Sequence, residues 1–313
     1  MLAALLSLLV VLLIIRLAVY AIRQFLVWLR GGKEIEWLVR GNYVDTEYAE
    51  GLREYIRQTE RAELIEQVKG EIEGERPHLT REQRKALRKG HIRARDEYLD
   101  RVEINWYQIA IIFLVGSFLG LIIEEVWMYI TAGLTESRVG LVWGPYSPIY
   151  GFGASFLTIF CWMLRKRGAS KLAVFLVAML VGGVLEQVTG WGMETFLGVV
   201  SWDYTNVPLA ITKFVAVPFL FFWGALGLIW SEYIMPELIF LIGMPTTVRQ
   251  VTFVSLVALY LVADIGMTVA CFSRMAARDA GIPPQTPFQE WVDTHYTDQF
   301  IAARFQNMAF NNK

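Results

Sequence analysis

The chain has 313 residues, 55% hydrophobic and 14% aromatic, with a net charge of -1. That apolarity exceeds what a soluble domain carries, and the neutral balance excludes a global basic field for holding nucleic acid. Charged residues still make up 19%, because they gather in one block, so the composition is that of a membrane protein with a water-exposed segment.

The first thirty residues, MLAALLSLLVVLLIIRLAVYAIRQFLVWLR, lack the basic start and small-residue cleavage site of a secretory leader. They predict a retained transmembrane anchor in a region spanning 1–32, with Arg16 snorkelling to the membrane surface. Residues 33–104 carry about half of the chain's charge with mixed sign and belong in water. Leu52, Ile56, Leu64, Ile65, Val68 and Ile72 recur at helical spacing, and Thr80 with Gln83 forms a capping box that opens a second helix. The expectation for 33–104 is a cytoplasmic helical hairpin.

Apolar runs follow at 106–130, 146–164, 171–197, 213–234 and 249–272, each near the length that crosses hydrocarbon. With the anchor they predict about six spans, and hence an all-α polytopic membrane helix bundle, with 105–273 as the membrane domain. Under simple alternation the basic clusters Arg23–Arg40, Arg93–Arg101 and RKRGASK (165–171) share one side, which the positive-inside rule makes cytoplasmic. Arg274 and Arg278 then fall on the opposite side, so one segment is open to recount. The candidates are the proline-bounded PELIFLIGMP (236–245), read as re-entrant or interfacial, and the third run. The tail, 274–313, spaces Phe288, Trp291, Val292, Phe300, Ile301 and Phe305 close to helical period. It suits either the bilayer surface or the protein's own spans.

The candidate site lies where the third run begins. RVGLVWGPYSPIYGFG (138–153) holds Gly and Pro between two membrane-length segments, and broken backbone at that depth is tolerated only where protein or a polar cavity surrounds it. Alternation brings Glu124, Glu125, Glu186, Glu194 and Asp264 towards the same leaflet, beside this segment with its Arg138 and beside SWDYTNVP (201–208). The favoured leaflet is the outer one. An acidic side chain at the bilayer centre costs about 2.5–3.5 kcal/mol, so several of them need partners, protonation or water. Glu124 and Glu125 point about 100° apart on a helix, and periodicity does not say which faces the site. Glu186 and Glu194 are separated by a little over two turns and share a face, with Gly182, Gly183, Gly190 and Gly192 permitting close helix approach. Tyr146, Tyr150, Trp202 and Tyr204 either line the site or, as the commoner case, belong to the interfacial aromatic belt.

Other chemistries are narrowed by what is missing. His78, His91 and His295 lie outside the apolar runs, which disfavours an intramembrane histidine–metal site, so no metal ligands are assigned. No GxxxxGK[ST] loop occurs, so the chain does not hydrolyse ATP by that route, and neither GxSxG nor HExxH is present. Cys161 and Cys271 sit inside apolar runs and form no disulfide framework. No catalytic residue or cofactor emerges.

The segments GSFLGLIIEEVW, RVGLVWGPYSPIYGFG, LEQVTGWGMETFLGVVSWDYTN and FFWGALGL, within about 113–230, resemble the bacterial membrane family of ABC-transporter permeases called type IV or CmpB-like. The resemblance implies a multi-pass domain in the cell membrane and points by position to Glu124 or Glu125, Arg138, Pro145, Pro148, Tyr150, Gly151, Glu186, Glu194, Trp202, Asp203 and Tyr204. Joined to the acids above, it favours a permease subunit with an acidic substrate or cation site, powered by a separate ATPase or an ion gradient; 33–104, to which the resemblance does not extend, is the expected ATPase contact. Oligomer formation is compatible with it. Two other readings stand beside it: a membrane-embedded enzyme acting on a lipid or lipid-linked headgroup with Arg138 on phosphate, and a scaffold or sensor whose acids only join helices.

Overall fold

The computed structural model describes residues 2–30, 81–245 and 247–310. The expected first helix of the hairpin, and Thr80 of its capping box, lie outside the described residues. Almost everything described is helical, and the sheet is a single antiparallel pairing of two-residue strands.

The elements in order are α1 (Leu2–Arg30), α2 (Arg81–Arg101), α3 (Trp106–Ala132), α4 (Pro148–Lys166), α5 (Lys171–Gly192), β1 (Val199–Val200), α6 (Val217–Ile229), α7 (Met235–Ile242), α8 (Val248–Asp279), α9 (Pro287–His295), α10 (Asp298–Arg304) and β2 (Ala309–Phe310). Single π-helical turns at Met193–Leu197 and Trp230–Ile234 extend α5 and join α6 to α7. Four helical stretches among the described residues are long and apolar enough to cross a membrane: Trp106–Ala132, Lys171–Leu197, Val217–Ile242 and Val248–Asp279. The two other expected spans, α1 and α4, are also helices over nearly the expected residues.

Sequence chemistry sets the boundaries. Asn105 and Thr247 open α3 and α8 with capping boxes closed by Gln108 and Gln250. Pro148 starts α4, where its missing N–H would have had no intrahelical partner. Gly133, at φ 67, ends α3 in the left-handed conformation and donates its N–H to the last turn. The PELIFLIGMP segment continues the helical stretch that begins at Val217, since Val217–Ile242 runs through the π turn at 230–234 and is as a whole long and apolar enough to cross a membrane. The π turn absorbs the polar WSEYI step, which ended the expected segment at 234.

By contacts the chain divides into two compact units. One comprises Gln24–Glu103 and Pro236–Gly243. In it Tyr98 is fully buried and packs edge-on against Phe240 at 5.7 Å, while His91 meets Glu237 at 2.9 Å and Arg95 lies 3.7 Å from the same carboxylate.

The other comprises Met1–Arg23, Ile104–Met235 and Met244–Lys313. Lipid offers no hydrophobic drive for helices to associate, so close packing carries the contact. Small residues provide it: a Cβ on Gly116 of α3 would stand 2.6 Å from the Ala154 Cβ of α4, and one on Gly227 of α6 2.2 Å from that of Ala178 of α5. At one end of the helices the tail folds back. Val292, Ile301 and Phe305 are fully buried in an apolar cluster with Val139, Val142, Val199, Met267, Cys271, Phe272 and Met275, and β2 pairs with β1. The inner face of the tail therefore packs on the protein's own helices, while Phe288, Trp291 and Phe300 remain exposed.

Arg274 and Arg278, whose side seemed wrong for their charge, are neutralised within the tail. Arg274 is 5% exposed and grips Asp293 through two N–H groups at 2.6 and 3.0 Å, while Arg278 binds Asp293 and Asp298. The hydrogen bonds from Arg274, and then those from Arg278, hold the Asp293 carboxyl below the usual carboxylate range against the opposing effect of burial. A depressed folded pKa gives stability that is full above the unfolded value of about 3.9 and fades as pH falls through the folded value. The tail is therefore expected to stay docked at neutral pH and to become protease-sensitive only below about pH 4. Asp293→Ala should release it at pH 7, at a cost of about 3 kcal/mol for stranding a buried arginine, as limited proteolysis and thermal unfolding in detergent would show.

Candidate functional site

The broken segment needs partners for its backbone, and α8 supplies them. Asp264 is fully buried and accepts the Trp143 N–H on one oxygen and the Gly144 N–H on the other, both at 2.9 Å. Thr268, one turn on, accepts from Val142 N–H at 2.9 Å. Arg304 of the tail reaches back to the Leu141 and Gly144 carbonyls at 3.2 and 2.8 Å. Gly140 N–H bonds the Tyr146 carbonyl, and Ser147 N–H bonds the Ser117 carbonyl of α3. These bonds hold the non-helical stretch as a defined loop.

The loop is flanked by two expected site residues. Arg138, just before it, donates to Glu124 of α3 at 2.8 Å, with both side chains largely buried. Tyr150, in the first turn of α4, lies within hydrogen-bonding reach of the same carboxylate. Gly120, one turn before Glu124, makes room for that tyrosine, since a Cβ there would stand 2.2 Å from the Tyr150 Cβ. Tyr204, in the loop after α5, stacks on Phe219 with ring centroids 4.4 Å apart. Burial, and then the charges of Glu186 and Glu124, raise its phenol above the ordinary value. Tyr204 thus stands between the two acids.

Glu186 on α5 is 8% exposed, and one of its oxygens accepts the Trp223 indole N–H at 3.0 Å. The indole fits because Gly182, one turn earlier, has no side chain: a Cβ there would stand 2.0 Å from Trp223 Cγ. Glu124, Arg138 and Tyr150 thus gather at one place, and Tyr204 lies within electrostatic range of both Glu124 and Glu186.

A second group forms around Lys213, which pairs with Glu194 at 2.5 Å and lies 4.0 Å from Asp203. Trp202 donates its indole N–H to the Phe214 carbonyl at 3.1 Å, so it braces the 201–216 loop. Asp203 is exposed, and bonds from Thr205 hold its carboxyl below the usual range. Two candidates go elsewhere. Glu125 turns to a groove beside α1, and the Tyr146 ring lies over Gly144, near Asp264.

Sequence reasoning missed three contributors. Lys213 carried a signal, being the sole basic residue between Lys171 and Arg249, in a loop facing acids. Trp223 and Arg304 carried none, since an indole in an apolar run and an arginine in a polar tail are both unremarkable. Asp264 was grouped with the acids by position, and its side chain serves the loop backbone.

Chemically Glu124 and Glu186 differ. Glu124 has a guanidinium, whereas Glu186 has one neutral donor. Among the described residues the second Glu186 oxygen, Arg138 Nε and the hydroxyls of Ser117 and Ser155 are buried without a hydrogen-bond partner. Each such group costs about 1–3 kcal/mol if left bare, so this interior is arranged for polar company. The unpartnered Glu186 oxygen suits a donor from a small polar solute, or from water in its place. No three His, Cys, Asp or Glu residues among those described are placed to hold a metal ion.

The close fit at Gly182 yields a prediction. Gly182→Ala should displace Trp223 and destabilise the protein by about 1–3 kcal/mol through overpacking. Glu186→Gln keeps an acceptor for the indole and should unfold near the wild-type temperature. Thermal unfolding in detergent, followed by tryptophan fluorescence, separates the two.

Among known proteins, the family described as "Putative ABC-transporter type IV" matches residues 111–269, about half of the chain. The match runs from α3 into α8, beyond the motifs quoted above, and takes in Asp264. No curated protein and no solved structure matches.

Proposed function

The chain belongs to this type IV ABC-transporter family, and from that premise we propose that it is the membrane-embedded permease of a transport system with its substrate site on Glu124, Arg138, Tyr150, Glu186 and Tyr204. One observation carries the reading: a carboxyl group buried among membrane-length helices with one oxygen unpartnered, beside a loop of broken backbone. Intramembrane ionisable residues and interrupted helices are the usual materials of solute sites. The substrate is a small polar solute offering both a donor, for Glu186, and an acceptor, for Arg138. Glu194, Trp202 and Asp203 lie around this group and shape its approaches.

The chain lacks a phosphate loop, so energy comes from a separate ATPase subunit. Residues 33–104 form its dock on the cytoplasmic side of the cell membrane, where the basic clusters belong. The polar group then opens towards the outer leaflet.

The test is purification of the full chain in mild detergent from its native membrane. An ATPase subunit should co-purify in comparable amount, and the reconstituted complex should hydrolyse ATP. Glu186→Gln should leave recovery unchanged and slow turnover about tenfold, the effect of losing about 1.4 kcal/mol of interaction. Wild-type protein that recovers no ATPase, or Glu186→Gln turnover equal to wild type, overturns the reading.

A further inference from the structure

Glu125 has no part in the polar group described above. Adjacent residues on a helix diverge by about 100°, so while Glu124 turns to Arg138, Glu125 turns to α1. There it lines an open groove of ≈ 470 Å³ with Val10, Ile14, Ile122, Val126 and Tyr129. That volume is in the range of small-molecule sites, about 300–1,000 Å³.

The groove has the layout of an amphiphile. Val10 and Ile14 of α1 and Ile122 and Val126 of α3 make apolar walls, and polarity is confined to Glu125 and Tyr129, one turn apart on the same face. Glu125 is seven residues from the end of α3 at Ala132, about 10 Å at 1.5 Å per residue. Its carboxylate is therefore near headgroup depth, with the apolar walls beside it. No hydrogen-bond or ion-pair partner for Glu125 exists among the described residues. The nearest cation on α1 is Arg16, two residues past Ile14 and so about 200° around the helix, facing away from the groove.

We infer that the α1–α3 groove binds a membrane phospholipid with a primary-amine headgroup, its ammonium on Glu125 and Tyr129 and an acyl chain along Val10, Ile14, Ile122 and Val126. A carboxylate at a lipid-facing position needs a counter-cation, and a headgroup amine is the one the bilayer itself supplies. An anionic headgroup would meet like charge. The inference is independent of the transport reading, since it uses none of the residues of that site.

The experiment is native mass spectrometry of the full chain, delipidated in mild detergent and then offered phosphatidylethanolamine or phosphatidylglycerol with identical acyl chains. Phosphatidylethanolamine should be retained roughly fivefold better, the order of one exposed charge pair. Glu125→Gln should abolish that preference while keeping the unfolding temperature. Val126→Trp, which fills the groove, should lower retention of both lipids alike, separating loss of space from loss of charge. Equal retention of the two lipids by the wild type, a preference that survives Glu125→Gln, or retention unaffected by Val126→Trp overturns the assignment.

Discussion

A membrane interior gives no water to an exposed peptide group, so a chain that leaves the helix at depth must bring its own hydrogen-bond partners. Here that requirement falls on Asp264, whose two oxygens take the N–H groups of Trp143 and Gly144 with no exposure to solvent. Thr268 and Arg304 complete the set from the other sides of the same loop. Because the loop is fixed, the residues at its ends are fixed too: Arg138 is delivered to Glu124, and Tyr150 is set on the glycine face of α3.

The two acids then meet different surroundings. Glu124 lies against a guanidinium, whereas Glu186 is held by a single indole and keeps an oxygen unengaged. The glycines that admit these partners, Gly120 and Gly182, lie one turn before each acid on the same helix face. Close packing and the polar group are thus one feature seen from two sides: a side chain at either glycine would evict the aromatic that reaches the carboxyl.

Much of the fold was legible because its signals are long. Apolar runs of membrane length, a Gly/Pro interruption and cap residues such as Asn105 and Thr247 each state their meaning locally. What stayed illegible depended on partners far along the chain. Periodicity separates Glu124 from Glu125 by angle but not by neighbour, and the choice follows from Arg138, 14 residues on. Arg274 and Arg278 find their partners, Asp293 and Asp298, 15 to 20 residues further along, beyond the reach of any local pattern. The run 213–234 ends early in the sequence because the polar turn WSEYI breaks its hydropathy, while the helix continues through the π turn to Ile242.

The loop's dependence on distant partners has a consequence for biosynthesis. Leu141 and Gly144 leave the ribosome some 160 residues before Arg304, their carbonyl partner, and about 120 before Asp264. During elongation, then, the interruption between α3 and α4 is inserted without its latch, and the nascent protein carries unmatched peptide groups into the lipid. Completion waits for Arg304, so the interruption is latched long after both of the helices it joins have been made.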